Sequence, residues 1–295
     1  MKKGLIIKSL SGDYTVKTQE GLFVCKARGL FRKDGFSPLC GDEVEFEVTN
    51  LEKKEGYIYQ VAKRKNSLVR PPVSNVDTLV ITFSPLNPEL DHMLIDYLIL
   101  SAKMQDIKAV LCVNKIDLAS KDLVEDIERQ YAKSGCALVK TDALNNINVD
   151  DLSLHLAQGI TVFAGQSGAG KSTLINSLTG KDVMETGSLS LKIQRGKNTT
   201  RHCELLPFIE GFIADTPGFS KFDPLTLDHS QIKDLYTEFE PYRGLCKFND
   251  CLHLTEIDCA VIEAVEKKEI DIDRYSRYKI IYNIAKEAFE NRRGY

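Results

Sequence analysis

The first 68 residues carry short runs in which apolar and polar residues alternate, with no helical period. EVEFEV at 43–48 alternates strictly, as a strand with one buried face does. Turn residues separate this run from four similar ones: GLIIKSL, YTVKTQ, LFVCKAR and YIYQVAK. Five short strands in so few residues predict a small closed β-barrel over 1–68, an OB-fold, with an SH3-like barrel as the alternative.

The pattern changes after RPPVSNV at 70–76, which reads as a linker because adjacent prolines continue neither strand nor helix. TLVITF, AVLCV, ITVFAG and GFIAD, which start at 78, 109, 160 and 211, are nearly continuous apolar runs. A helical segment, 91–105, lies between the first two. Such runs are typical of parallel strands buried on both faces, so 69–228 is predicted to be an α/β domain.

From 229 to 295 the sequence predicts a third, mainly helical domain. DHSQIKDLYTEF (228–239) and the long segment 273–293 have helical character. They flank a cluster of cysteines and a histidine.

The nine residues GQSGAGKST at 165–173 fit the phosphate-binding pattern G-x4-G-K-[ST] and directly follow a predicted strand. Glycines let backbone N–H groups approach phosphates, and the following helix adds its positive end. Lys171 should reach the β- and γ-phosphates, and the Ser172 hydroxyl should bind Mg²⁺. The expected phosphate-binding residues are Gly165, Gln166, Ser167, Gly168, Ala169, Gly170, Lys171, Ser172 and Thr173.

A second phosphate-sensing element is DTPG at 215–218, which follows the strand GFIAD. Asp215 should hold Mg²⁺ through a water, and the Gly218 N–H should touch the γ-phosphate. In the polar stretch before it, GKNTTRH at 196–202, Thr200 is favoured over Thr199 as a further Mg²⁺ ligand. Together the two stretches predict a pair of switch loops.

Guanine recognition is predicted from Asn114, Lys115 and Asp117, the N-K-x-D pattern after AVLCV. A carboxylate at 117 can accept hydrogen bonds from the ring N–H and amino group of guanine, whereas adenine places an acceptor there. Asp142 and Ala143, after Thr141, match more weakly a loop whose backbone N–H supports the guanine carbonyl.

The order of these motifs is unusual, because N-K-x-D precedes the phosphate loop. Read cyclically from the phosphate loop, the order is that of ordinary GTPases. Circular permutation preserves sheet contacts when the original ends lie close together. The sequence therefore predicts a permuted GTPase domain in which DTPG leads directly into the last domain, and we expect phosphate loss at that switch to move the domain.

Cys246, Cys251, His253 and Cys259 lie within fourteen residues. Three thiolates and one imidazole complete a tetrahedral Zn²⁺ site with no open position, which predicts one structural zinc ion. The other five cysteines, 25, 40, 112, 136 and 203, have apolar neighbours and are expected to be buried thiols.

Charge is distributed unevenly. Residues 1–70 hold 14 Lys and Arg against 9 Asp and Glu, while 71–228 hold 14 against 20. A basic first domain suggests a polyanionic partner, although a solvated lysine-rich surface explains the count equally well. Clustering points to Lys26, Arg28, Arg32 and Lys33 as RNA contacts. The absence of an apolar run of about 20 residues favours a cytoplasmic protein without a membrane segment.

The motifs together resemble the circularly permuted GTPases of the RsgA/YjeQ family. The resemblance rests on RKNSLVRPPVSNVD, NKID, GQSGAGKSTLIN, DTPGF and the C-x4-C-x-H-x5-C spacing, and covers almost the whole chain. It implies an OB-fold, a GTPase domain and a helical zinc domain. It also implies GTP hydrolysis to GDP stimulated by the small (30S) ribosomal subunit late in its maturation, with 16S rRNA as the polyanion.

Two positions bear on catalysis. Phe219 occupies the place where many GTPases carry a water-orienting glutamine, and a hydrophobic residue there is itself a trait of the family. Asn198 stands where the family often has histidine, so no catalytic residue is assigned. Two alternatives stay open: a translation-factor GTPase acting on 70S ribosomes, and a nucleotide-gated RNA-binding module with little hydrolysis. A monomer is expected.

Overall fold

A computed structural model describes residues 1–27, 31, 36–156, 158–180, 203–215 and 228–293. Its strands within the first domain are β1 (Lys2–Leu10), β2 (Asp13–Thr18), β3 (Gly21–Ala27), β4 (Glu43–Asn50) and β5 (Glu55–Val61). They pair in the order β1-β2-β3-β5-β4, and β4 pairs back onto β1. The β3–β5 pair is parallel and the other pairs are antiparallel. This closed five-stranded barrel confirms the predicted OB-type domain.

Alternation along the barrel strands determines which side chains form its core. Phe23 and Cys25 of β3, Phe46 of β4 and Ile58 of β5 point inward and are buried. The residues between them along each strand point outward and are exposed or half-buried.

The junction after the barrel is packed rather than an open linker. Two short strands, β6 (Ser67–Leu68) and β7 (Val73–Ser74), pair there, and Val73, Ser74 and Val76 are buried. Buried Asp42 accepts hydrogen bonds from the Ser74 hydroxyl (2.6 Å) and from Arg64 Nε (2.7 Å). The barrel strand β5 has already ended at Val61, and the two prolines, at 71 and 72, lie in the turn between β6 and β7. The chain around them is held by these contacts.

The second domain is a mainly parallel sheet with helices beside it. Its strands are β8 (Thr78–Phe83), β9 (Lys108–Asn114), β10 (Ala137–Thr141), β11 (Ile160–Ala164), β12 (Cys203–Phe208) and β13 (Gly211–Asp215). Its helices are α1 (His92–Met104), α2 (Lys121–Tyr131), α3 (Val149–Ser153) and α4 (Lys171–Thr179). The strand order is β10-β9-β8-β11-β13-β12, in which only β12 is antiparallel to its neighbour. The four predicted apolar strands are all present.

The barrel and this sheet share hydrogen bonds. Strand β1 pairs antiparallel with β12, with Lys8 opposite Glu204, and their side chains form an ion pair (2.7 Å). The Cys40 thiol donates to the carbonyl of Cys203 at 3.0 Å. The two domains therefore form one continuous eleven-stranded sheet.

The C-terminal domain contains α5 (Ala260–Glu266) and α6 (Ile272–Arg293). The helix expected over 228–239 is instead two 3₁₀ turns, Ile232–Leu235 and Thr237–Tyr242. Tyr236 between them is extended, and Pro241 cannot donate a helical hydrogen bond. The predicted long helix is confirmed as α6.

A buried ionic cluster attaches this domain to α1. The Asp96 carboxylate accepts hydrogen bonds from Arg274 and from Arg277 Nε (2.6 Å), and Arg274 Nε also donates to Glu238 (2.7 Å). Arg277 donates further to Gln130 of α2 at 2.9 Å. Both guanidinium groups also lie over the ring of Tyr131. Buried charges of this kind are tolerated only when they are paired, as the two arginines are here with Asp96 and Glu238.

Four of the five scattered cysteines are buried as expected, whereas Cys136 is partly exposed because it lies in the loop before β10. Burial raises the pKa of Cys25 to about 11 and of Cys112 to about 12. These two thiols therefore behave as small apolar side chains.

Candidate functional site

The predicted motifs meet at one edge of the parallel sheet. Asn114 ends β9, Gly165 follows β11, and Asp215 ends β13. Parallel strands present their carboxyl ends on the same side, and ligands of open α/β sheets bind there. The fold thus brings together motifs separated by up to about a hundred residues of sequence.

The glycines of the phosphate loop are required by its backbone. Gly165 has φ +128°, and a Cβ there would lie 1.9 Å from the Thr82 carbonyl oxygen. Gly170 has φ +93°, and its Cβ would lie 2.2 Å from Asn114 Nδ2. L-residues rarely adopt such angles, and the contacts leave no room for a methyl group. The loop can therefore pass directly beneath the N-K-x-D residues.

Lys171 begins α4 and turns back over the loop. Its ammonium group donates to the carbonyl oxygens of Gly165 (2.8 Å) and Gln166 (2.7 Å). Burial lowers the pKa of Lys171 to about 8. A phosphate anion held in the loop would be a stronger partner for this desolvated cation. Ser172 and Thr173 follow in the first turn of α4 and are partly buried.

Asn114 joins three loops through its side-chain amide. Its Nδ2 donates to the Ala169 carbonyl at 2.9 Å, which connects it to the phosphate loop. Its Oδ1 accepts from the Thr141 hydroxyl (3.1 Å) and from the Ala143 N–H (3.0 Å). With Asn114 buried, these hydrogen bonds hold the loops in a fixed relation.

The remaining base-recognition residues differ in their surroundings. Lys115 adopts a left-handed conformation (φ 63°), and its ammonium group donates to the Gly168 carbonyl at 2.7 Å. Asp117 lies exposed on the next turn, Ile116–Leu118, where its carboxylate can meet a ligand. Asp142 accepts from the backbone N–H groups of residues 144 and 145, so its carboxylate shapes its own loop. Contact of Asp142 and Ala143 with guanine stays a prediction.

A loop that sequence reasoning missed closes this side of the site. After β8, the carbonyl of Asn87 accepts from Lys115 (2.9 Å), and the carbonyl of Glu89 accepts from Gln166 Nε2 (2.9 Å). The Ser84 hydroxyl accepts from the N–H groups of residues 86 and 87, which fixes the turn. The dense Ser, Pro and Asn content of SPLNP signalled a turn, but not its contact with the phosphate loop.

Several predicted positions lie outside the described residues: Arg28, Arg32, Lys33, Asn198, Thr200, Gly218 and Phe219. Of Asp215, only the backbone at the end of β13 is described. Lys26 is described, and it lies exposed at the end of β3.

The cysteine–histidine cluster forms a compact ligand set. His253 Nδ1 lies 3.6, 3.4 and 3.3 Å from the Sγ atoms of Cys246, Cys251 and Cys259, and Cys246 Sγ lies 3.8 Å from Cys259 Sγ. A tetrahedron with Zn–S of about 2.3 Å and Zn–N of about 2.0 Å has edges of about 3.5 to 3.8 Å. These four distances match the edges of such a tetrahedron, and all four ligand atoms lie within 4.8 Å of one another, so the cluster is compatible with a Zn²⁺ site.

Surrounding groups hold this ligand set in place. The Glu256 carboxylate accepts from the N–H groups of Leu252 (2.7 Å) and Leu254 (2.7 Å) on either side of His253. The Tyr275 hydroxyl donates to the His253 carbonyl at 2.9 Å. Burial raises the pKa of the Cys251 thiol to about 12, so clustered thiolates here require a cation. These hydrogen bonds fix the loop that carries His253, as the groups around a metal ligand commonly do.

Comparison with known proteins places the chain in a family. The model of the RsgA GTPase matches residues 61–225, and the model of the RsgA N-terminal domain matches 3–58. The chain belongs to the RsgA GTPase family. It is accordingly a GTPase, with GTP and GDP as substrate and product and Mg²⁺ as the implied metal ion.

Relatives in two bacteria are similar over nearly their whole length. The "Small ribosomal subunit biogenesis GTPase RsgA" of Ruminiclostridium cellulolyticum is 44% identical over 290 residues, which are 97% of this chain and 95% of the relative. The protein of the same name from Clostridium acetobutylicum is 44% identical over 276 residues, 94% and 95% of the two chains.

Two crystal-structure neighbours have the same architecture. YjeQ from Thermotoga maritima superimposes with a TM-score of 0.80 at 31% identity, covering 96% of this chain and 98% of that one. YloQ, described as a circularly permuted GTPase, superimposes with a TM-score of 0.80 at 32% identity, covering 97% of this chain and 96% of that one. The permutation inferred from motif order is thereby confirmed. Within the described part of the chain, no helix is long and apolar enough to cross a membrane.

Proposed function

We propose that this GTPase acts in the biogenesis of the small ribosomal subunit, binding the subunit with GTP and leaving it after hydrolysis. The observation that carries the proposal is full-length similarity to relatives named for that process. A site that holds guanine and phosphate motifs in contact provides the nucleotide switch.

Guanine selectivity rests on Asp117, whose exposed carboxylate would accept from the base, while Asn114 and the Lys115 stem hold its other edge and face. Lys171 would transfer from the loop carbonyls to the β- and γ-phosphates. Ser172, Thr200 and Asp215 would hold Mg²⁺, which neutralises phosphate charge when bound. Gly218 would sense the γ-phosphate.

Hydrolysis on the free protein should be slow, because Phe219 cannot orient a water molecule as glutamine does. The subunit would supply the missing alignment, so that nucleotide cleavage is timed by the particle. Such coupling makes GTP turnover a signal for release.

The barrel would meet 16S rRNA through Lys26, Arg28, Arg32 and Lys33, since cations displace the counterions of a phosphate backbone. One structural Zn²⁺ would be bound by Cys246, Cys251, His253 and Cys259, the four residues of the compact cluster. The proposed domain boundaries are 1–68, 69–228 and 229–295. The protein would act as a monomer in the cytoplasm.

The last domain is connected to the GTPase domain in two ways. One is the segment after DTPG, which lies outside the described residues. The other is the direct contact of Asp96 of α1 with Arg274 and Arg277 of α6. Nucleotide-dependent motion would therefore have to carry α1 along or break a buried ion pair. Carrying α1 along is less costly, because breaking a buried ion pair leaves a charge uncompensated.

The proposal is tested by steady-state GTP hydrolysis with and without purified 30S and 70S particles. Strong stimulation by 30S is expected, and Lys171→Met, which removes the phosphate-binding ammonium, should abolish it. Absence of stimulation by 30S would contradict the proposal. Preferential stimulation by 70S would favour a translation factor, and 30S binding without turnover would favour a nucleotide-gated RNA-binding module.

A further inference from the structure

The loop between β8 and α1 contacts both halves of the nucleotide site. We refer to residues 84–90 as the support loop. The carbonyl of Glu89 accepts from Gln166 Nε2 of the phosphate loop at 2.9 Å. The Lys115 ammonium group bridges the carbonyl of Asn87 (2.9 Å) and the phosphate loop, so the support loop is also joined to the base-recognition motif. The positions of the support loop and the phosphate loop therefore depend on each other.

Helix α1 follows the support loop directly and is shared by two hydrophobic cores. On one face, Ile95, Leu98 and Ile99 are buried in the core that contains the parallel sheet. On another face, Tyr97 and Leu100 are buried in the core of the C-terminal domain. Close packing on both faces makes α1 a rigid connection between the sheet and the C-terminal domain.

The C-terminal domain also binds the end of α1 that lies nearest the support loop. One residue separates Glu89 from Asp91, whose carboxylate caps the N-terminus of α1 through a hydrogen bond of 2.9 Å. Asp96 follows five residues later, which is about 8 Å along the helix axis. Its buried carboxylate accepts from Arg274 and Arg277 of the C-terminal domain. The docked domain therefore fixes the same end of α1 that carries the support loop.

Gln166 is the residue at which phosphate occupancy and the support loop meet. Its backbone carbonyl accepts from Lys171 Nζ at 2.7 Å, while its side-chain amide donates to Glu89. A phosphate bound in the loop is a stronger partner for the desolvated Lys171 ammonium group, so nucleotide binding draws Lys171 away from the Gln166 carbonyl. The side-chain contact with the support loop then holds this part of the phosphate loop.

We propose that Gln166 is a positioning residue of the nucleotide site, through which the docked C-terminal domain, α1 and the support loop hold the phosphate loop in its nucleotide-binding geometry. Detachment of the domain from α1 releases the support loop and weakens GDP binding. Because coupling between two equilibria is reciprocal, GDP opposes detachment by the same factor. Nucleotide occupancy thus reaches the last domain through α1 rather than along the segment after DTPG. The inference requires nucleotide binding and not the ribosomal role proposed above.

Hydrogen exchange of the full chain, with and without GDP and Mg²⁺, tests this coupling. Amides of α6 that exchange by detachment of the C-terminal domain become slower by the ratio of the GDP affinities of the docked and detached states. We expect a slowing of about fivefold, at the lower end of ordinary coupling between sites. GDP is supplied at about 100 times the Kd of each variant, so that protection against global unfolding rises equally in all of them.

Two variants interrupt the support-loop contact, and a third is the matched control. Gln166→Leu removes the amide that donates to Glu89 and keeps a side chain of similar size. Ser84→Ala removes the hydroxyl that fixes the turn of the support loop and leaves the phosphate loop unchanged. In both variants the GDP-dependent slowing of α6 should fall below about twofold, and GDP affinity should fall about fivefold. Gln158→Leu makes the same change at an exposed glutamine whose amide donates to Glu210 (3.3 Å), and it should retain the full slowing.

Three results would overturn the inference. The first is a slowing of α6 by GDP that is equal in the wild type and in both support-loop variants, which would assign the coupling to another path. The second is no effect of GDP on α6 in the wild type, and the third is loss of the slowing in Gln158→Leu as well. Lack of stimulation by 30S would overturn the proposed function alone, because the exchange experiment contains only the protein, GDP and Mg²⁺.

Discussion

Replacing Asp96 by asparagine should loosen the C-terminal domain without removing the nucleotide site. Each carboxylate oxygen of Asp96 accepts from a different buried arginine, Arg274 or Arg277. An asparagine of the same shape keeps one acceptor and turns an N–H₂ group toward the second guanidinium. Arg274 retains Glu238 at 2.7 Å, so the main loss falls on Arg277.

The size of the stability loss expected for Asp96→Asn follows from the burial of Asp96 and both arginines. Removing one member of a buried ion pair leaves an uncompensated charge and costs about 3–5 kcal/mol. Whole domains are stable by only about 5–15 kcal/mol, so this loss is large. Arg129→Ala is the comparison variant, because the arginine is 53% exposed and water screens its ion pairs with Asp126 (45% exposed), Asp271 (8%) and Asp273 (56%) on its side. Such a pair contributes about 0–1 kcal/mol.

Hydrogen exchange followed by mass spectrometry measures the effect where it occurs. At 1.4 kcal/mol per factor of ten, amides of α6 should exchange roughly 10²- to 10⁴-fold faster in Asp96→Asn than in the wild type. Amides of β11 and α4 should change far less. Protection of α6 equal to that in Arg129→Ala would refute the view that this cluster attaches the domain.

Three further substitutions test individual contacts. Thr141→Val removes the hydroxyl that donates to Asn114 and should weaken GDP binding, measured by titration calorimetry, about fivefold. The control is Thr161→Val, which should leave GDP affinity unchanged because the buried Thr161 hydroxyl has no partner among the described residues. Equal effects of the two substitutions would argue against positioning of the Asn114 amide by Thr141. Asp117→Asn should reduce GTP affinity at least 100-fold and improve XTP binding, since an amide donates where xanthine presents a carbonyl; retained GTP preference would exclude this carboxylate from base recognition. Cys251→Ser should lower the zinc content measured by atomic absorption and destabilise the C-terminal domain while GDP binding persists; full zinc occupancy would contradict the four-ligand site.

Local patterns in the sequence were enough to identify the chemistry of this protein. The phosphate loop, N-K-x-D and the cysteine–histidine spacing are each formed by residues close together in the chain, whose geometry the local backbone largely sets. Alternating and continuous apolar runs likewise predicted the barrel and the main parallel strands. Motif order alone indicated the permutation.

Other elements were missed because their local patterns are weak. Strand β10 is short, and β12 contains Pro207, which argues against a strand. The 3₁₀ turns place apolar side chains at helical spacing, so periodicity predicted an α-helix across extended Tyr236. In each case tertiary packing outweighed a weak or misleading local preference.

The joining of the domains and the support of the site depend on contacts between residues far apart in the chain. The Asp96–Arg277 contact spans 181 residues, the β1–β12 pairing joins Lys8 to Glu204, and Asn114 reaches Ala169 across 55. No sequence period encodes such pairs, because an aspartate or arginine becomes a buried anchor only when a distant partner satisfies it. Short local motifs therefore encode what the loops can bind, whereas long-range packing sets which domain each loop can influence.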